Sequence, residues 1–463
     1  MRIAAVLLSC LSFLACEEEP VPSIDGLWEG AVTVQGAEIG FSVKFATLDG
    51  ELTATMDIPS QMAYRLPLQN VSFDGSRVYF ELDSPAGLAT HEGTLAEGRI
   101  TGAFKQGGAE GEFFLEYVVP EELPYDTQDV SVETGPGVTL AGTLSLPRTE
   151  GPHPAVILIT GSGPENRDEE VFGFKPFKLL ADYLTPLGVA VLRCDDRGVG
   201  GSTGSGTEPT TADLAGDVTA QMDFLARRPE IDPGRIGLLC HSEGSIIAYM
   251  VAAQTDGPAF IILLGGPACN GEKIVNAQLV LLSRAEGATE EQIAKSLDLQ
   301  NRIFGALRSG EGYDELKGET ERLMRESLAD LPEEELAKIP DMDAYVKATV
   351  EAQFAALDSP WFRFFLDYDP ARDLAKITCP LLAVWGEFDL QVPAEDNRAR
   401  MEEVLSEAGH TDHTLEIFPR ANHLFQETQT GAFSEYAELP KEFAPGFLDL
   451  ISGWLLPRVG LPQ

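Results

Sequence analysis

From Ile24 to about Tyr117 apolar residues recur at every second position. Ile39, Phe41, Val43 and Phe45 alternate with other residues, as do Leu52, Ala54, Met56 and Ile58, and then Val78, Phe80 and Leu82. A period of two marks strands with one buried face. Asp49-Gly50 and Asp74-Gly75 sit between such runs as hairpin turns. The pattern predicts a small all-β domain over residues 24–118, built as a barrel-like or curled antiparallel sheet. Its one histidine, His91, has no catalytic company, so the domain is expected to be structural or to position substrate.

A polar connector punctuated by Pro120 and Pro124 follows, and from Val130 the period changes. Short apolar strands are expected at Ala155–Ile159, Val189–Leu192, Ile236–Leu239, Phe260–Leu264, Leu381–Trp385 and Thr414–Phe418, most of them separated by helical stretches. Strands alternating with helices predict a mostly parallel sheet covered on both faces, over residues 125–463. Between Cys269 and about Asp369 helices take over. Thr289-Glu290-Glu291-Gln292 reads as a capping box, and Glu311 to Glu335 is acidic and helix-prone. This insertion between core strands, residues 270–370, is a candidate helical lid. Trp361, Phe362, Phe364 and Phe365 near its end are expected to pack as core, the wall of an apolar pocket being the alternative.

The first residues read as a targeting segment. Arg2 is followed by an apolar run, Ile3 to Leu14, too short to span a bilayer. Phe13-Leu14-Ala15-Cys16 resembles a bacterial lipobox, with Phe13 and Leu14 in place of the usual Leu and small residue. Residues 1–16 are thus expected to be a signal peptide and Cys16 a lipidated residue, giving a protein anchored in the cell envelope. An ordinary secretory signal with an incidental Cys16 is the alternative. Beyond it Cys194, Cys240, Cys269 and Cys379 are scattered without CxxC spacing, which indicates neither a zinc site nor a disulfide framework. The chain carries 33 basic against 74 acidic side chains, a net charge of −41. Such a surface repels phosphate backbones and argues against nucleic-acid binding.

The strongest chemical signal is Ile236-Gly237-Leu238-Leu239-Cys240-His241-Ser242-Glu243-Gly244-Ser245. A buried strand runs into Ser242 and an apolar helix follows, the context of a nucleophile elbow, in which a sharp turn lifts the serine hydroxyl to the carboxyl end of the sheet. Cys240 stands where the G-x-S-x-G pattern has its first glycine. Serine needs a base. Among the six histidines, His91 belongs to the other domain and His153 precedes a strand. His241 is expected to point away from the elbow, and His410 and His413 lie before the last strand. His423 follows that strand, at the edge where Ser242 stands, and is the expected base. The orienting carboxylate should follow another strand; Asp389, after Leu381–Trp385, is the choice, with Glu387 and Asp396 as competitors. Backbone N–H groups of Glu243 and of Ser162, in Thr160-Gly161-Ser162-Gly163-Pro164, are the expected oxyanion donors.

Together these residues resemble bacterial α/β-hydrolases of the esterase or serine aminopeptidase-like kind. The resemblance covers most of Tyr125 to Leu456 and rests on TGSGPENRD (160–168), CDDRGVGGSTG (194–204), CHSEG (240–244), WGEFDLQVP (385–393) and NHLFQ (422–426). It implies an α/β-hydrolase fold with a helical lid, preceded by the small β domain, and a structural part for the Arg197 loop. The expected activity is hydrolysis of a small-molecule ester through an acyl-enzyme, with no metal or organic cofactor. Two alternatives stay open: a peptidase or aminopeptidase acting on short peptides, for which the sequence offers no amine anchor, and a non-catalytic envelope-binding protein on a hydrolase scaffold. Membrane contact is expected only through the lipid anchor.

Overall fold

The computed structural model describes residues 23–462 apart from 35, 49, 62, 85, 120–121, 207–208, 255–256, 330–335, 337–338 and 340. The expected signal peptide and Cys16 lie outside the described residues. The chain divides into two compact units, Met1–Pro120 and Glu121–Gln463.

Nine strands make up the first unit among its described residues: β1 (Gly26–Val34), β2 (Ala37–Leu48), β3 (Glu51–Ile58), β4 (Ala63–Pro67), β5 (Gln69–Phe73), β6 (Arg77–Leu82), β7 (Ala89–Ala96), β8 (Arg99–Gln106) and β9 (Ala109–Tyr117). They form one antiparallel sheet in the order β4-β3-β2-β1-β9-β8-β7-β6-β5. The two end strands are successive in the chain, and Leu68 between them donates its N–H to the Ala54 carbonyl on β3 at 3.0 Å. The sheet is therefore a nearly closed barrel, which leaves little unpaired edge. Its interior is the alternating set read from the sequence, with Phe41, Val43, Phe45, Met56, Val78 and Phe80 buried together.

The second unit is built on an eight-stranded sheet. Its strands are β10 (Asp126–Gly135), β11 (Val138–Leu146), β12 (His153–Ile159), β13 (Ala190–Cys194), β14 (Ile231–His241), β15 (Ile261–Leu264), β16 (Leu381–Gly386) and β17 (His413–Phe418). The order is β10-β11-β13-β12-β14-β15-β16-β17. From β13 to β17 every pairing is parallel, whereas β10 and β11 add an antiparallel hairpin at one edge. That hairpin is absent from the strands expected above, because its outer face is polar and its pattern resembles the β domain before it.

Alternate residues of each parallel strand enter different cores. Ile157, Leu238, Cys240, Leu263 and Trp385 face one side; Val156, Leu158, Leu239, Leu264 and Val384 face the other. The first side is covered by α2 (Thr211–Ala226) and α3 (Gly244–Ala252), the second by α1 (Pro176–Leu184) and the last helix, Phe447–Arg458. Helices α4 (Gly271–Ala285), α5 (Glu290–Ser309), α6 (Tyr313–Ala329), α7 (Met342–Leu357) and α8 (Pro360–Asp367) interrupt the sheet between β15 and β16. They hold a small core of their own around Phe304, Val346, Val350 and Phe354. Thr289 and Gln292 form the capping box that opens α5.

Strand β12 has β13 on one side and β14 on the other, so the crossovers change direction there. Loops leaving the carboxyl ends of strands at such a reversal splay apart and leave a crevice, the usual ligand position in an open α/β sheet.

Candidate active site

Ser242 stands immediately after β14, at that crevice. Its φ is +51°, a left-handed conformation that costs a side-chain-bearing residue roughly 1–2 kcal/mol. The neighbours hold it there. Its N–H donates to the Leu264 carbonyl at 2.8 Å and its carbonyl accepts from Ser245 at 3.0 Å. The turn also demands glycine at 244, where a Cβ would lie 2.6 Å from the Ile159 and Thr160 carbonyl oxygens. Cys240 replaces the other expected glycine without conflict; its side chain is wholly buried between strands β12 and β15, and burial pushes its thiol well up.

His423 follows β17 and is 3% exposed. Its Nδ1 lies 2.7 Å from Asp389 Oδ2. The other Asp389 oxygen accepts the N–H groups of Gln391 and Val392, at 2.9 and 2.8 Å, so the carboxylate is fixed before it meets the imidazole. The two competing acids are engaged elsewhere: Glu387 accepts the Arg420 N–H and Asp396 pairs with Lys273. The loop that carries His423 crosses β16 at Gly386, where a Cβ would be 2.4 Å from the Ala421 and Asn422 carbonyls. Among the described residues no hydrogen bond occupies His423 Nε2, and the ring shares the wall of one cavity with Ser242.

That cavity has a volume of about 440 Å³ and is lined also by Gly161, Ser162, Trp361 and Phe365. Gly161 approaches Ser242 closely, a Cβ there lying 3.3 Å from the serine Cβ. The Ser162 and Glu243 N–H groups meet no acceptor among the described residues. Glu243 is the residue before α3, and its side chain turns inward instead of capping the helix. Its carboxylate accepts from Thr211 at 2.6 Å and from the Trp361 indole at 2.8 Å; burial raises its pKa despite these bonds. The aromatic cluster on α8 does both things the sequence left open: Phe362 packs into the helical core while Trp361, Phe362 and Phe365 face the cavity. Trp361 and Glu243 also line a second cleft of about 570 Å³, together with Pro164, Leu214 and Ala355.

One expectation is overturned. His241 does not point away: its ring centre is 4.5 Å from that of His423, and it borders the same cavity. Strand alternation explains the difference. His241 shares the sheet face of Leu239, and Ala421, Leu424 and Phe425 of the His423 loop pack on that face. Its partner Glu169, at 2.7 Å, was also missed; in the run Arg167-Asp168-Glu169-Glu170 nothing distinguishes it from a surface acid. His410 and His413 face each other at 3.4 Å where β17 begins, the opposite end of the strand from His423.

The glycine-rich segment after β12 is braced by buried acids. Asp196 accepts from Thr160 Oγ1 and from the Glu165 N–H, at 3.0 and 2.9 Å. Arg167 grips Asp195 with two nitrogens, Arg193 pairs with Asp168, and Arg197 grips Asp217 on α2 at 2.6 and 2.7 Å. The Arg197 loop is thus structural support. No group of three or more His, Cys, Asp or Glu among the described residues is arranged to hold a metal ion, and no helix there is long and apolar enough to cross a membrane.

Residues 156–435 match the family described as the alpha/beta hydrolase family. Esterase EstD of Thermotoga maritima is 25% identical over 329 residues, which are 71% of this chain and 66% of that esterase, just under two thirds of its length. Among solved structures, the Pyrococcus furiosus esterase Pf2001 is similar over 74% of this chain and 96% of its own, at 17% identity and a TM-score of 0.44. A proline iminopeptidase from Mycobacterium smegmatis is similar over 72% and 98%, at 17% identity and a TM-score of 0.43.

Proposed function

The chain belongs to the alpha/beta hydrolase family, and from that premise we propose that it is a serine esterase acting through an acyl-enzyme. Ser242 Oγ attacks the ester carbonyl while its proton passes to His423 Nε2. Asp389 keeps the proton on Nδ1 and stabilises the imidazolium that forms. The tetrahedral oxyanion rests on the Glu243 and Ser162 amides, near the N-terminus of α3. Collapse of that intermediate breaks the bond to the alcohol, which leaves with the proton from His423. Water, deprotonated by the same imidazole, then releases the acid and restores Ser242.

The observation that supports this reading most is the 2.7 Å His423–Asp389 pair in the wall of the cavity that Ser242 borders. An ester is favoured over a peptide with a free amine by the state of the two glutamates at the cavity. Glu243 is committed to Thr211 and Trp361. Glu165 sits against Glu169, and burial raises its carboxyl well above the ordinary range. Glu243 thus offers no uncommitted anion to an ammonium group, and burial disfavours the charged form of Glu165. The apolar segment before Cys16 supports a place in the cell envelope, with Cys16 as the lipid-bearing residue.

The test is fluorophosphonate labelling together with turnover of p-nitrophenyl acetate and butyrate. The wild-type protein is expected to label at Ser242, and Ser242→Ala to lose both label and at least about 10⁴-fold in kcat. Labelling or turnover that survives the substitution rejects the assignment. A wild-type protein that never labels revives the binding-protein alternative.

A further inference from the structure

Beneath the reacting groups lies a second histidine–carboxylate contact that the mechanism above does not use. His241 is 5% exposed and Glu169 2%. Glu169 Oε1 faces His241 Nδ1 at 2.7 Å and also accepts the Gly161 N–H at 2.9 Å. On the other side of the ring, His241 Nε2 lies 3.0 Å from the His423 carbonyl oxygen. A carbonyl can only accept, so Nε2 carries a hydrogen. Nδ1 faces the Glu169 oxygen that accepts the Gly161 N–H, and opposite an ionised carboxylate it carries one too. In that arrangement both ring nitrogens donate and the ring is an imidazolium, whereas a neutral pair would hold the same proton on Glu169 Oε1.

The bonds span two loops. Glu169 holds Gly161, the residue before Ser162, in the loop after β12. His241 holds the backbone of His423, in the loop after β17. Together they join the loop with an expected oxyanion donor to the loop with the expected base, and the residue between those loops is Ser242, next to His241 in the chain.

We propose that Glu169 and His241 are positioning residues, a buried carboxylate–imidazolium pair that sets the spacing of the Ser162 and His423 loops around Ser242. This rests on the esterase reading for what the spacing serves, but not for the charge on His241. The groups that face the ring are Glu169, with Glu165 beside it, and Asp389 and His423 across the sheet end; Cys240, the neighbour on its own strand, points to the other face. Burial by itself would lower the His241 pKa; the Glu169 carboxylate, the His423 carbonyl and Asp389 outweigh it and hold the pKa above 6.5. Burial and the negative charges of Glu169 and Asp196 raise Glu165, which disfavours its charged form beside the pair.

The experiment uses the full chain labelled with ¹⁵N-histidine, whose six histidines give few signals; His241 is identified by its loss in His241→Gln. Both His241 nitrogens are expected to show imidazolium shifts at pH 7.5, and Glu169→Gln, which has the same shape without the charge, is expected to return the ring to the neutral form. In that variant kcat for p-nitrophenyl acetate should fall about 10- to 100-fold with little change in KM, and Glu169→Asp should recover part of the loss. A neutral His241 in the wild-type protein overturns the proposal, and so does a Glu169→Gln enzyme with wild-type kcat. The nitrogen shifts need no turnover. A wild-type protein inactive on esters therefore rejects the esterase reading while the charge on His241 is still decided.

Discussion

Gly265 lies at the end of β15, beside Ser242, and its replacement by alanine separates the steric frame of the site from its chemistry. Its φ is +60°, where alanine costs about 1 kcal/mol relative to glycine. A Cβ there would lie 3.0 Å from His423 Cε1 and Nδ1 and 3.2 Å from Asp389 Oδ2. Ordinary contacts of this kind start near 3.4 to 3.5 Å, so the imidazole or the carboxylate must yield by roughly 0.4 Å. The main chain cannot absorb it easily, because the Gly265 N–H is bonded to the Val384 carbonyl at 2.8 Å. The contact shared by His423 and Asp389 therefore lengthens or turns. We expect Gly265→Ala to lose about 1–2 kcal/mol of stability and about 10- to 100-fold in kcat, read from thermal melting and from p-nitrophenyl acetate turnover. Gly287→Ala is the control: φ is +88° there, and nothing lies within 4 Å of the added carbon, so it bears the backbone cost alone. A Gly265→Ala enzyme within two-fold of wild-type kcat, or an equal kcat loss in Gly287→Ala, refutes the steric reasoning.

His91, 3% exposed among Phe41, Phe80, Phe104 and Phe113, is held neutral by burial, its pKa lowered to about 4. An unfolded chain takes up this proton near 6.5, so the stabilisation is complete above pH 6.5 and is lost as pH falls from there to about 4, up to about 3 kcal/mol. His91→Leu should lack this component, and wild-type and variant stabilities that fall in parallel from pH 7.5 to 4 dismiss it. Trp361 lines both the 440 Å³ cavity and the 570 Å³ cleft, so Trp361→Ala should join their space and raise kcat/KM for a p-nitrophenyl dodecanoate over acetate about tenfold relative to wild type, while Trp361→Phe, which keeps most of the bulk, should not. An unchanged chain-length preference in Trp361→Ala means that the cleft takes no part in binding.

Period and order make most of the scaffold legible in the sequence. Alternation in residues 39–45 and 52–58 marks the barrel interior because one face of each strand is wet. Continuous apolar runs such as Val156–Ile159 mark β12 because both faces are buried. Connectivity then does much for the site, since all parallel strands end at one edge and Ser242, Asp389 and His423 each follow a strand. What strand order cannot reveal is which side chain near a strand end is turned toward that edge. The direction of His241 is such a case, since it depends on where a loop some 180 residues later crosses the sheet. Glu169 and Gly265 were invisible for a related reason. An acid in an acidic run and a glycine before another glycine carry no local signal, and their parts arise from contacts with β14 and the His423 loop.

The distribution of buried polar groups follows from where the sheet stops. Within the strands, ladder bonds satisfy the main chain and the side chains are apolar; beyond the carboxyl ends the ladder is gone, yet the loops are still buried. Their N–H groups need acceptors, and an unmet one costs about 1–3 kcal/mol. Side chains supply them: Glu169 for Gly161, Asp196 for Glu165, Asp195 for Arg167, Asp389 for Gln391 and Val392, and Asn422 for Leu424 and Gln426. Burying so many acids is expensive in itself, and the expense is tolerated because each one fixes a loop as well as a charge. At the cavity wall the Ser162 and Glu243 N–H groups have no acceptor among the described residues, and on the esterase reading an oxyanion would meet them there.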